Sequence, residues 1–422
     1  MQFFYSYFLN EKKNYHLLEN HMFYSKKLIL PVFCGLLFIF NSTLFGQTAP
    51  EEKTDSSPQP TKTSDDTRQT VMEFRRSNVK VSPEILALMN KAQGLTAQGK
   101  CAEAIVEYNK VIAANAAIGT AYNSRGYCYS QLKKFDLALQ DYNTALKFTP
   151  GNVPTYTNRG ILYAQMGKFD AALADHNKSI ELNPKDSLLY NNRADLFSRI
   201  GELDRALEDQ NKAIALSPTK AYFISNRGMT YFRKGLLDKA IEDFNEAIRL
   251  DSKMAIAFNN RGHAFAKKEM TDNGLADFNR AVELDPKLAI AYGGRGDVYR
   301  LKGEYALAIE DYNKGLTLLP NNALMLYNRG STFYKIQKDD LALADLNKAL
   351  EINPSEALIY NNRSLIRIRQ GKYEEALADL NKAIELNPKL GIIYRNRATI
   401  YRQMGQNEKA QSDMDMAEKL GN

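Results

Sequence analysis

Tryptophan is absent, and the 422 residues hold only three cysteines and four histidines. Three thiols are too few for a disulfide framework or a cysteine-rich zinc site. Four imidazoles leave little material for metal or acid–base chemistry. There is no phosphate-cradling glycine loop, dinucleotide fingerprint, metal-ligand spacing or nucleophile–base motif. The chain therefore reads as a non-enzyme that needs neither cofactor nor metal. A dominant charge is missing too. The 56 Lys and Arg against 49 Asp and Glu give a net +7, too small an excess to demand a polyanionic partner. The remainder, 44% hydrophobic and 25% charged, suits an ordinary packed core.

Long apolar runs are lacking, with one exception. Residues 28–40 form an uncharged run of 13 behind Lys26 and Lys27. That is shorter than the ~20 residues that span a bilayer, and it fits the apolar region of a secretory signal. Residues 1–46 are read as that signal, with cleavage after Gly46 and with Met22 preferred over Met1 as the start. Cys34 follows Phe33 rather than a small residue, which disfavours a lipoprotein signal. The expectation is export to the periplasm, the cell surface or the medium. The alternative is an uncleaved anchor over residues 28–45, the only segment through which this chain would touch a membrane. Residues 47–84 are rich in Thr, Ser and Pro. They cannot bury enough apolar area to offset ordering entropy and are read as a disordered spacer.

Everything beyond is periodic. Arg125, Arg159, Arg193, Arg227, Arg261, Arg295, Arg329, Arg363 and Arg397 stand 34 residues apart. Nine aspartates from Asp141 to Asp413 and nine asparagines from Asn109 to Asn381 keep the same step. The period divides the chain into ten units: 85–118, 119–152, 153–186, 187–220, 221–254, 255–288, 289–322, 323–356, 357–390 and 391–422. Each reads as two short amphipathic helices. In the second unit Tyr122, Arg125, Gly126 and Tyr129 share one helical face, and Ala138, Leu139, Tyr142, Ala145 and Leu146 share another. Pro150 stops the second helix. Such a hairpin cannot bury both faces alone, so neighbours must stack.

This period, with Tyr-x2-Arg-Gly-x2-Tyr followed by Ala, an aromatic, Ala and Pro, resembles the tetratricopeptide repeat family over residues 85–422. Tyr replaces the family's first Trp, and Arg replaces its Leu. The resemblance implies an all-α fold, a right-handed α-solenoid (superhelix) of about ten 34-residue helix-turn-helix repeats. It also implies a scaffold that binds a protein or peptide in a groove lined by first helices.

Seats can be numbered from the first residue of each unit. The eighth is always Ala, Gly or Ser, and the twentieth is Ala except for Gly274. These small residues suit close helix approach. The twenty-first and twenty-eighth seats are aliphatic until Gln411 and Glu418 in the last unit, which reads as a polar cap. Ser82-Pro83-Glu84 is a good helix start. In the sixth unit Lys268-Glu269-Met270-Thr271 breaks the usual turn pattern, read as a tolerated lapse in preference to a hinge. Each Arg lies 16 residues before one Asp, and all but Arg125 lie 18 after another. The ladder, with Arg227, Asp243, Arg261 and Asp277 as examples, is read as structural ion pairing.

In proteins this chain resembles, the second, fifth, ninth, twelfth and thirteenth seats face the groove. The early units place neutral groups there, Asn123, Tyr127 and Gln165 among them. Later units place Arg199, Arg233, Lys267, Arg300, Lys335, Arg369 and Arg402 at the twelfth or thirteenth seat, with Tyr334 beside them. These are the candidate partner-binding residues, and they suit an acidic, extended peptide. The plainer reading is that cations near helix C-termini complement the dipole, each by ~0.3–1 kcal/mol. An anionic glycan or nucleic acid bound by the basic groove of units 4–10 is the rival functional reading. Against nucleic acid, most aromatics occupy core seats. Lys is absent from the fifth and second seats, so the chaperone-tail clamp known in the family is not expected.

Single residues add little. His176 and His263 are read as packed or surface side chains, not ligands of one metal. Cys101 and Cys128 are read as small packed residues in preference to a bridge. The sequons at Asn177 and Asn362 fall inside helices, which argues against glycosylation.

Overall fold

The computed structural model describes residues 82–421. The signal, start-site and anchor readings lie outside these residues, as does the spacer apart from its last three positions. Those three belong to a helix start: Ser82 accepts from the Ile85 N–H at 3.3 Å and Pro83 begins the first helix.

The described residues form twenty α-helices and no strands. They divide into two compact units, residues 82–251 and 252–421. In the first unit the helices are α1 (Pro83–Ala97), α2 (Cys101–Ala114), α3 (Gly119–Gln131), α4 (Phe135–Phe148), α5 (Val153–Gln165), α6 (Phe169–Leu182), α7 (Ser187–Arg199), α8 (Leu203–Leu216), α9 (Ala221–Arg233) and α10 (Leu237–Leu250). The second holds α11 (Ala255–Lys267), α12 (Thr271–Leu284), α13 (Ala289–Leu301), α14 (Tyr305–Leu318), α15 (Ala323–Lys335), α16 (Asp339–Ile352), α17 (Ala357–Arg369), α18 (Tyr373–Leu386), α19 (Gly391–Gln403) and α20 (Asn407–Lys419). Odd and even helices pair as hairpins, and within each unit every even helix also packs on the next odd one.

The breaks have local causes. Proline follows α4, α6, α8, α12, α14, α16 and α18 by two positions and forbids continuation. Asn152, Asp186 and Asn322 then cap the next helix through their side-chain oxygens. Tyrosine at the fourth seat ties this linker down: the Tyr190 hydroxyl donates to the Pro184 carbonyl at 3.2 Å, and Tyr360 does the same to Pro354 at 3.1 Å. A phenol reaches that carbonyl, which gives Tyr a role at the family's Trp seat. Inside each hairpin the turn needs one left-handed residue. Seven hairpins use glycine there, but Lys133, Glu269 and Gln337 take φ of 58°, 62° and 60°. The irregular sixth hairpin thus makes the same turn as its neighbours, and α12 runs on unbroken past Gly274.

Small seats allow the hairpins to close. A Cβ on Gly126 would sit 2.9 Å from the Tyr142 ring, and one on Gly228 would sit 2.8 Å from Phe244. Ala138, Ala206, Ala308 and Ala342 at the twentieth seat are wholly buried. First helices of successive hairpins touch along the second unit and through the first four hairpins of the first, whereas successive second helices stay further apart. In each unit the odd helices therefore carry the inner face. On α20, Gln411 and Glu418 are exposed where other hairpins place half-buried or buried aliphatic groups.

Candidate functional site

The nine arginines pair within their own hairpins. Arg227 Nε and Nη2 donate to the two Asp243 oxygens at 2.8 and 2.7 Å, and Arg261 grips Asp277 with the same distances. The aspartates are nearly buried and the arginines half-buried. Hydrogen bonding to Asp243 raises the Arg227 guanidinium above its ordinary range, so it stays charged throughout. Arg227 Nη1 donates to Asn211 of the preceding hairpin at 2.8 Å. One fork thus joins three helices, α8, α9 and α10. Tyrosines at the fourth and eleventh seats sandwich it: Arg125 lies 5.4 Å from the Tyr122 ring centre and 5.8 Å from Tyr129. These arginines serve the fold, because their forks are engaged by the aspartates of their own hairpins.

The inner face is knitted by asparagines. Asn158 donates to Asn123, Asn226 to Asn191 and Asn396 to Asn361, each a sixth seat reaching the fifth seat of the preceding first helix. These bonds place the fifth and sixth seats where first helices adjoin. They also occupy the amides that a carboxylate clamp would need.

The candidate cations divide into distinct situations. Arg199 Nη2 donates to the Ala164 carbonyl at 3.1 Å, and both Arg369 Nη atoms donate to the Tyr334 carbonyl at 3.3 Å. A thirteenth-seat cation here neutralises the C-terminus of the preceding first helix, which is dipole complementation between neighbours. Arg369 also pairs with Asp339 and stacks 4.0 Å from the Tyr334 ring centre, so Tyr334 is covered on that side. Arg233, Lys267 and Lys335 are half-buried on the same seats, and Arg402 is exposed. Arg300 differs most. It sits against Asp297 and Tyr312, with its Nε buried and lacking an acceptor. Asp297 is 5% exposed and accepts from Tyr312 at 2.5 Å and from Asn328 at 2.7 Å.

The inner acids were not singled out from the sequence. Burial pushes the Asp297 carboxyl up, opposed by Arg300. Burial likewise lifts Asp195 to about 6, opposed by Arg199 and Arg233. Their signal was present: both stand at the ninth seat, three or four residues before an arginine on the same helix. The inner face therefore carries balanced charge around Asp195 and Asp297. The inner seats of α19 hold Arg395 and Arg402 and no acid.

The two histidines lie in separate units, His176 in the core and His263 half-buried at an inner ninth seat. His176 is 2% exposed beneath Gly160, at a seat held by Tyr142 and Phe244 elsewhere. Burial and the charge of Arg193 lower it to about 4. His263 meets the Phe278 ring edge-on at 4.9 Å and is lowered by burial to about 4. Cys101 and Cys128 are buried free thiols. At the sequons Ser179 and Ser364 are fully buried. Among the described residues no group of three or more His, Cys, Asp or Glu is placed to hold a metal.

Comparison with known proteins agrees with this architecture. Models of the tetratricopeptide repeat match residues 120–152, 153–186, 177–208, 255–288 and 323–356, and a further TPR repeat model matches 228–269, 296–337 and 364–405. The chain belongs to the tetratricopeptide repeat family. Among solved structures it is similar to the Cut9–Hcn1 hetero-tetramer of APC/C, with TM-score 0.53 and 15% identity over 85% of this chain and 84% of that one. It is also similar to a monomeric mutant of IFIT1 with Gppp-AAAA, with TM-score 0.50 and 17% identity over 85% and 86% of the two chains. A tetratricopeptide repeat protein from Parabacteroides merdae ATCC 43184 matches with TM-score 0.49 and 23% identity over 59% and 98%. These likenesses concern the fold. No curated protein matches the sequence. Membership of the family makes the chain a protein–protein interaction scaffold in general terms.

Proposed function

We propose that this chain is an exported, non-catalytic scaffold of the cell envelope. It captures an acidic, extended segment of a partner protein on the inner face of its last hairpins. The supporting observation is the charge balance of that face. Asp195 and Asp297 stand beside arginines of the same face, whereas Arg395 and Arg402 stand on inner seats of α19 with no acid among those seats. Half-buried Leu324, Leu358 and Ile392 at the second seat supply apolar contacts alongside. A preformed surface of this kind binds with little ordering cost on its own side. The export half of the proposal rests on the basic residues and the apolar run of residues 26–40.

The anionic-glycan or nucleic-acid reading is weaker. The inner tyrosines are half-buried, and Tyr334 is covered by Arg369, which leaves little ring surface for base stacking. The test replaces Lys335, Arg395 and Arg402 by Glu and compares crosslinked partners in living cells by mass spectrometry. Arg300 and Arg369 are left intact, because their loss would unsettle Asp297 and Asp339 inside the fold. Loss of the crosslinked protein with unchanged helical content is expected. Unchanged recovery would reject the inner-face site. Polyanion binding that falls steeply with salt would favour the rival.

A further inference from the structure

Cys101 opens α2 and Cys128 lies near the end of α3, 27 positions on in the next hairpin. The hairpin stack brings them into one buried cluster with Met89, Tyr108 and Val111. Cys101 is 5% exposed and Cys128 is 0% exposed. The two thiols are near enough for Cys101 to bear on the ionisation of Cys128, and Thr96 Oγ1 of α1 lies 3.5 Å from the Cys128 sulfur. No metal-binding group accompanies them among the described residues.

We propose that Cys101 and Cys128 are a disulfide-forming pair that covalently ties the first hairpin to the second. The step is thiol–disulfide exchange with a disulfide donor. One thiolate attacks a donor sulfur, the donor's other sulfur leaves as thiolate, and a mixed disulfide forms. The second cysteine's thiolate then attacks the first cysteine's sulfur and releases the remaining donor thiol. Two protein thiols become one disulfide, and one donor disulfide becomes two thiols.

Burial raises the Cys128 thiol to about 12, so attacking thiolate is scarce while the cluster is closed. Exchange therefore runs during folding or through opening of the first hairpin. Among the described residues the first hairpin packs on one neighbour, the second, and a hairpin held on one side opens most readily. The bridge would act there, closing a loop that contains all of α2 and restraining the open chain.

The experiment uses the full chain with Cys34→Ser, so that only this pair is counted. It is unfolded, then refolded in a series of oxidised and reduced glutathione mixtures. Free thiols are alkylated, and peptides are weighed without reduction. The expected result is a peptide pair linking Cys101 to Cys128 in monomeric protein, two hydrogens lighter than the sum of its parts. Amide exchange in α1 and α2 should be slower by about tenfold or more than in a reduced sample. Alkylation of both thiols across the series overturns the proposal. So does glutathione on either cysteine without the linked pair, or a bridge between chains.

Discussion

One imidazole carries a sharp pH signature. His176 is held neutral down to about 4 by burial, whereas an open chain protonates near 6.5. As pH falls the unfolded state takes up the proton first. Stability present above pH 6.5 is therefore lost progressively between about 6.5 and 4. At pH 5 this ring alone costs about 2 kcal/mol. His176 Nδ1 also lacks a partner, and Phe244 and Phe278 fill the same seat elsewhere. His176→Phe should reduce the loss of stability between pH 7 and pH 5 by about 2 kcal/mol, read from urea midpoints at the two pH values. His263 and Asp195 titrate in both proteins and cancel in the comparison. Equal pH dependence in the two proteins would contradict the buried, neutral ring. The seat was visible in the sequence as an aromatic position that His176 shares. The missing partner at Nδ1 was not, because it depends on what the neighbouring hairpin presents.

At the scale of the helical hairpin, the Arg–Asp–Asn fork is the recurring joint. Spacing alone left every arginine but Arg125 two aspartates, one at 16 residues and one at 18. The structure selects 16, because the fork lies between the two helices of one hairpin. Its third arm reaches back 16 residues to Asn211 or its equivalents, which explains why an asparagine series keeps the same period. Arg227→Met should cost about 3–5 kcal/mol, because it strands the nearly buried Asp243 carboxylate. Asp243→Leu should strand Arg227 in turn. The double variant should recover much of either loss, and thermal melts of all four proteins give the coupling. Purely additive losses would contradict pairing. The thirteenth-seat cations show what period analysis cannot see. Arg199 and Arg369 find carbonyls 35 residues back, and that offset follows from how neighbouring hairpins sit, not from any pattern along one helix.

For the whole molecule, the repeat makes each hairpin depend on its neighbours. Cores pass from one hairpin to the next: Tyr142 of the second packs with Leu162 of the third, and Ala172 of the third packs with Leu196 of the fourth. Fork, asparagine bond and buried ring all cross hairpin boundaries. Stability is then a sum of weak intrinsic terms and strong interface terms. The all-helical stack was legible because nine unbroken steps of 34 admit few alternatives. The partner-facing surface was legible only in part, since its acids and inter-hairpin carbonyl bonds neutralise cations that the seat pattern left free. The decisive measurement compares circular dichroism of residues 119–152 with that of residues 119–220, both as monomers. The single hairpin should show little helix and no cooperative melt, whereas the three-hairpin segment should be helical and melt cooperatively. A stably folded, cooperatively melting single hairpin would contradict neighbour-dependent burial.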